Sequence, residues 1–128
     1  GCMEGLFEKT VKYVKERNLY GVPMAMLQPI SYWLADAYMK IETCRSLLYT
    51  TTQMFDQYNL NPNMVMTCKV HICETAVQVC NNLLQMWGGH GIMTDVGVHR
   101  YLRDARTNTI AEGASEILMS AIAQSILQ

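Results

Sequence analysis

The sequence predicts an all-α fold, an antiparallel up-down helical bundle of four main helices plus a short one, forming one domain over residues 1–128. Two observations carry this. Apolar residues recur at steps of three and four almost from end to end, the spacing that lines one face of a helix. No stretch alternates apolar and polar residues with the period of two that a half-buried strand needs, so no sheet is expected. The breaks between periodic stretches are short, and short connections make consecutive helices antiparallel.

The first helix carries Met3, Phe7, Val11 and Val14 on one face. It opens directly in helical periodicity with no capping residue, as the tail of a longer helix would. Gly21 and Pro23 in "NLYGVPMAM" interrupt the pattern. A second stripe runs Leu34, Tyr38, Ile41, Leu48 and Phe55, and Asn59, Asn61 and Pro62 end that helix and begin the next. The third stripe is unbroken: Val65, Cys68, Ile72, Ala76, Val79, Leu83, Met86. "GGHG" stops it, because glycine is costly inside helices and permissive in turns. Val98 to Arg106 form a short helix. Ser115 caps the last helix, with Glu116 in its first turn, and Ile117, Leu118, Ile122 and Ile126 follow.

Composition limits what the chain does. The formal net charge is -1, which gives no reason to expect nucleic acid or an anionic membrane as partner. Charged residues make up 16% of the chain, against about 25% in a typical soluble domain. The shortfall points to surface covered by other domains or subunits. No apolar run reaches the length of a membrane span. The five cysteines are odd in number and form no CxxC pair, so reduced thiols in a cytosolic-type compartment are expected.

Several chemistries fail to assemble. A di-metal carboxylate bundle needs Glu-x-x-His pairs, and no Glu here is followed three residues later by His. Cys68 and His71 have ligand-like spacing, but no second pair completes four ligands, so no metal site is expected. Ser115 follows "EGA" rather than a G-x-S-x-G elbow. Gly88, Gly89 and Gly91 do not make G-x-G-x-x-G, and no strand precedes them.

The last third holds what remains. "QMWGGHG" ends a helix with Gln85 and three glycines, a loop able to bring backbone N–H groups close to a phosphate or ring edge. Arg100, Arg103 and Arg106 follow with Asp104 among them, either a surface ion-pair face or a functional cluster. Glu112 stands between Ile110–Ala111 and Gly113–Ala114. Such small, apolar surroundings desolvate a carboxylate and raise its pKa, which suits a general base. A plain loop glutamate before a helix is the other reading.

Three runs, "QMWGGHG" (85–91), R-x-x-R-D-A-R (100–106) and "IAEGASEI" (110–117), together resemble the C-terminal signature of acyl-CoA dehydrogenases in order and spacing. Upstream, "YVKERNLYG" (13–21) is similar to that family's Y-x-x-x-R-x-x-F-G segment, and Gln28, "LADA" (34–37) and Lys69 fall at the expected distances. The resemblance covers essentially the whole chain. It implies an N-terminal helical domain and a middle β-domain, both outside these residues, and a homotetramer built on the C-terminal bundles. It implies FAD as cofactor, with Arg17 on its pyrophosphate across a subunit interface, Tyr20 packed beside it, Gln28, Gln85 and Gly89 at its adenosine end, and Glu116 touching it.

The implied reaction is α,β-dehydrogenation of an acyl-CoA in fatty acid metabolism. Glu112 takes the proton next to the thioester carbonyl, and its backbone N–H holds the thioester oxygen. Gly113 contacts substrate beside it. Electrons leave to an electron-transfer flavoprotein, in the bacterial cytoplasm by preference or in the mitochondrial matrix. Three positions depart from the pattern: Tyr20 for Phe, Ala111 for Tyr, and Ala114 for Thr. The last removes a hydroxyl donor to the flavin. Two other readings stay open: a helical interaction module that is inactive alone, and an acyl-CoA oxidase-type relative.

Overall fold

The computed structural model describes residues 1–128. It contains helices α1 (Cys2–Glu16), α2 (Gln28–Asp56), α3 (Pro62–Trp87), α4 (Gly89–Ile92), α5 (His99–Ile110) and α6 (Ser115–Leu127). α3 runs through the middle and packs against α1, α2, α5 and α6. Its buried face is therefore wider than one stripe. Cys68, Ala76, Val79, Leu83 and Met86 are buried as expected, and Thr75, Cys80 and Leu84 join them. Val65 and Ile72 lie further out. Leu6 and Val14 of α1 join Val79 and Leu83 in one core, all of them fully or almost fully buried. Each fully buried aliphatic side chain contributes about 1.5–3 kcal/mol.

The expected boundary between α2 and α3 falls where the sequence places it, for a local reason. Asn61 caps α3, its Oδ1 accepting from the Asn63 N–H at 2.9 Å, with Pro62 as first helical residue. α3 ends at Gly88, whose φ of 55° and ψ of −145° suit only glycine. The "GGHG" run does more than stop a helix, since it forms the extra turn α4. The short helix α5 starts at His99 and runs on to Ile110, ending just before Glu112.

Four expectations need correction. A minimal hairpin exists where no sheet was expected, pairing Asn18–Leu19 (β1) with Val22–Pro23 (β2). Its two turn residues, Tyr20 and Gly21, both have positive φ, as hairpin turns of type I′ require. Two-residue strands are too short to leave an alternating signal. In α2 the buried residues are Ala37, Ile41, Cys44 and Thr51, while Tyr38, Leu48 and Phe55 are exposed. Leu48 and Phe55 share the buried face, four residues on from Cys44 and Thr51, so periodicity finds the face but not how far along the helix the chain covers it. In α6, Ile117 and Ile126 are exposed and only Ser115 is buried. Ser115 does not cap α6. It is the helix's first residue, follows Ala114, and turns its hydroxyl inward.

Large apolar side chains such as Trp33, Tyr49, Phe55, Ile117 and Leu127 stand on the surface. They account for the low charge content. All five thiols are unpaired. Burial pushes Cys80 up to about 12 and raises Cys44 and Cys73, so these thiols hold their protons. No helix is long and apolar enough to cross a membrane.

Candidate functional site

The residues singled out in the sequence fall into two groups, one at the C-terminal end of α3 and one against its N-terminal half. At its C-terminal end an open hollow of about 600 Å³ lies between α1, the start of α2 and the glycine turn. Arg17, Gln85 and Gly89 line it together. Arg17 reaches it because α1 ends there, the Arg17 N–H closing the last turn on the Tyr13 carbonyl at 2.8 Å. The hairpin then folds back, with the Met24 N–H on the Arg17 carbonyl at 2.8 Å.

One wall of the hollow is a set of stacked rings. Tyr13 and Trp87 lie 3.9 Å apart and nearly parallel, at 9°, and His90 stacks 5.9 Å from both. Trp87 is fixed from behind, its Nε1–H donating to Thr10 Oγ1 at 2.9 Å, while Thr10 donates to the Leu6 carbonyl at 2.8 Å. The glycines divide their duties. Gly91 is buried, and a Cβ there would stand 2.6 Å from Trp87 Cβ. Gly89 has open space where a Cβ would be.

Tyr20 and Gln28 sit at this same end but outside the hollow. Tyr20 is at the hairpin tip, 94% exposed, and packs against nothing in the chain. Gln28 begins α2, exposed, and donates from Nε2 to Tyr32 Oη at 2.6 Å. A guanidinium, an exposed amide, a flat ring wall and an unobstructed glycine backbone are groups chemically able to hold phosphate oxygens and an aromatic ring.

The second group lies in the turn between α5 and α6. Glu112 is exposed, with φ of 54°, and Gly113 follows at φ of 101°. A left-handed conformation costs a residue with a Cβ roughly 1–2 kcal/mol, so something outside the turn holds it. Lys69 Nζ donates to the Gly113 carbonyl at 2.6 Å. Ser115 Oγ donates to Glu74 Oε1 at 2.5 Å. Lys69 and Glu74 both face Cys73, whose thiol is raised mainly by burial, with Lys69 opposing and Glu74 adding to the shift. Glu116 is exposed in the first turn of α6.

The enclosure that the sequence suggested for Glu112 is not there. Its neighbours Ile110 and Ala111 are exposed as well. A small, apolar sequence setting describes the chain locally, but walls around a side chain come from tertiary structure. The arginines split off too. Arg103 pairs with Asp104 at 3.5 Å on the surface, and Arg100 and Arg106 are exposed.

The two groups do not meet. At 1.5 Å per residue the stretch of α3 from Lys69 to Gln85 is roughly 24 Å long, and α5 runs back along it from the glycine turn to Glu112. Reasoning from the sequence assigns no role to Glu74, Tyr13, Trp87 or His90. A signal existed in each case: one acid in a mostly apolar helix face, and rings within the runs already set apart.

Comparison with known proteins gives the same family for the whole chain. The family model for the acyl-CoA dehydrogenase C-terminal domain matches residues 1–127. The chain is 35% identical over 128 residues to cyclohexane-1-carbonyl-CoA dehydrogenase of Geobacter metallireducens, covering all of this chain and 34% of that one. The structure of butyryl-CoA dehydrogenase from Megasphaera elsdenii superposes with a TM-score of 0.95 at 28% identity, covering 99% of this chain and 33% of that one. A FAD complex of PigA superposes with a TM-score of 0.90 at 27% identity, covering 97% and 32%. The chain thus spans about a third of the length of these relatives. It belongs to the acyl-CoA dehydrogenase family, as a C-terminal domain of that family.

Proposed function

We propose that this chain is the base-bearing domain of a flavin-dependent acyl-CoA dehydrogenase, preceded in the full protein by the helical and β-domains its relatives' length leaves room for. The observation that carries the reading is Glu112, an exposed carboxylate on a left-handed turn that α3 holds from two sides. Rigid presentation of an ionisable group toward a neighbour is what a general base requires.

The hollow at the C-terminal end of α3 fits the pyrophosphate and adenosine portion of FAD. Arg17 supplies a fork for phosphate oxygens, Gln85 an amide for a polar edge, and Gly89 an unobstructed backbone. Tyr20 and Gln28, projecting nearby, complete that end, and Glu116 contacts cofactor near the base. FAD, when bound, supplies the acceptor for the hydride leaving the β carbon. Glu112 takes the α proton, its N–H donates to the thioester oxygen, and Gly113 leaves room for the acyl chain beside it. Because the two groups lie apart along α3, one chain contributes to two flavin sites. A homo-oligomer such as a tetramer brings the halves together, and the exposed apolar side chains are its contact surface. The reading places the protein in the cytoplasm, with an electron-transfer flavoprotein as electron acceptor. An oxidase would share every feature of this domain.

The test is Glu112→Gln in the full-length protein, with flavin bleaching followed after addition of butyryl-CoA or cyclohexane-1-carbonyl-CoA. Bleaching is expected to stop while flavin stays bound, and bleaching at the native rate would remove Glu112 as base. The interaction-module reading is favoured by the apolar surface alone. It requires residues 1–128 to form a stable multimer that retains no flavin.

A further inference from the structure

Two charged side chains of α3, Lys69 and Glu74, have no part in the reaction as written. Both are half-buried, on the helix that packs against α1, α2, α5 and α6. Charges in such places persist when each finds a specific polar partner. Here both partners belong to one turn. Lys69 Nζ meets the Gly113 carbonyl at 2.6 Å, and Glu74 Oε1 meets Ser115 Oγ at 2.5 Å. Ser115 is 2% exposed, so water does not compete for its hydroxyl. These partner atoms, on Gly113 and Ser115, lie directly after Glu112, and Glu112 and Gly113 are two consecutive residues with positive φ.

The signs of the charges also fit. The cation sits on a carbonyl oxygen, and the anion sits at the N-terminus of α6, where the helix dipole favours negative charge. α6 has no side-chain cap of its own, and Glu74 places its charge there through the Ser115 hydroxyl. Gly113 is the chain's route around a tight place, as a Cβ there would stand 3.3 Å from Leu118 Cδ2. Glu112 has no such freedom and stays left-handed only while its surroundings fix it.

We propose that Lys69 and Glu74 are positioning residues, which clamp the 112–115 turn from α3 and so aim the Glu112 carboxylate and N–H without touching substrate. The proposal rests on Glu112 being the base. A misplacement of roughly 1 Å at a reacting group costs on the order of 100-fold in rate, so loosening the turn acts on turnover more than on binding.

The experiment compares native full-length protein with Lys69→Met, Lys69→Arg, Ser115→Ala and Glu112→Gln. Hydrogen exchange at the amides of residues 112–115 reads the clamp. Stopped-flow flavin reduction by butyryl-CoA and cyclohexane-1-carbonyl-CoA reads the aim. Lys69→Met and Ser115→Ala are expected to speed exchange in the turn and slow flavin reduction about tenfold or more. Flavin content should hold, since Arg17, Gln85 and Gly89 of the flavin-binding hollow lie at the C-terminal end of α3, and KM should change by less than the rate. Lys69→Arg should restore most of the rate. Native exchange and native rate in both Lys69→Met and Ser115→Ala overturn the proposal. So does a rate loss that comes with lost flavin or that Lys69→Arg fails to restore, for that is a folding defect. If Lys69→Met does not fold, Ser115→Ala decides on the same readouts. A native rate in Glu112→Gln removes the base instead, and hydrogen exchange then judges the clamp alone.

Discussion

Two glycines three positions or fewer from Trp87–Gly88 separate what the chain needs for folding from what it keeps for a ligand. A methyl group at position 91 would stand 2.6 Å from Trp87 Cβ and 2.8 Å from Leu84 Cδ1. Trp87 Cβ is tied to the backbone and cannot swing aside, so α4 or the indole must move. Overpacking of this kind costs about 1–3 kcal/mol, and losing the Trp87–Thr10 hydrogen bond adds about 1 kcal/mol. A gain of about 1 kcal/mol from replacing glycine in a helix offsets part of this. Gly91→Ala is therefore expected to destabilise by roughly 1–3 kcal/mol and to shift Trp87 fluorescence as the Tyr13 stack opens. Gly89→Ala is the contrast. A methyl there meets nothing within 4 Å, so stability is expected to hold or rise by up to about 1 kcal/mol. The same methyl fills space beside Arg17 and Gln85 that the proposed FAD approaches. Flavin affinity in the full-length protein should fall about tenfold, equivalent to about 1.4 kcal/mol. Fluorescence-monitored denaturation and flavin titration measure the two effects. Native stability and fluorescence in Gly91→Ala would refute the packing argument, and native flavin affinity in Gly89→Ala would refute the close approach.

Leu83 is fully buried in α3, so Leu83→Ala is expected to cost about 2–5 kcal/mol, read as a lower denaturation midpoint with no change in the chemistry of surviving protein. Arg17→Lys keeps a charge but loses the fork, so it is expected to bind FAD more weakly than native protein yet better than Arg17→Met; equal affinity for all three removes Arg17 from the phosphate site. Cys80 is raised by burial to about 12, so its neutral form is favoured in the folded state. Its contribution to stability is present below the unfolded thiol's value near 8.5 and is lost as pH rises toward 12. Native protein at pH 8 should resist alkylation at Cys80, and the alkylation rate should still be climbing above pH 10; prompt labelling at pH 8, read by peptide mass, would contradict this.

Elements set by local chemistry were legible in the sequence. The α3 start at Asn61–Pro62 and its stop at Gly88 depend on residues adjacent to the boundary, and both fall as read. The inward stripe of α3 was legible because the helix is surrounded. α2 was legible only in part, because Leu48 and Phe55 continue the face of the buried Ile41, Cys44 and Thr51 yet stay exposed, and periodicity does not say how much of a face the chain covers. The site followed the same division. Arg17, Gln85 and Gly89, which the family resemblance assigns to a cofactor, line one hollow. Glu112 stands exposed where its small apolar sequence neighbours suggested enclosure, because neighbours in sequence are not walls in space. The clamp from Lys69 and Glu74 joins residues 41 and 44 positions apart, which no local pattern encodes.

The exposure of Glu112 bears on where the activity resides. A carboxylate serving as a base near neutrality needs a site from which water is excluded. The chain orients Glu112 through α3 but leaves it open to solvent. Its candidate cofactor hollow is likewise open, and lies at the C-terminal end of α3. On the proposed reading, orientation belongs to this domain, while drying belongs to the flavin, the substrate and the protein that closes over them. Such a division makes chemistry conditional on assembly. It would keep a lone bundle from abstracting protons, and it gives the exposed apolar side chains of α2 and α6 a use that core packing does not. Mutations on that surface, such as Phe55→Lys, should then weaken assembly and flavin retention together while leaving the helical content of the domain intact.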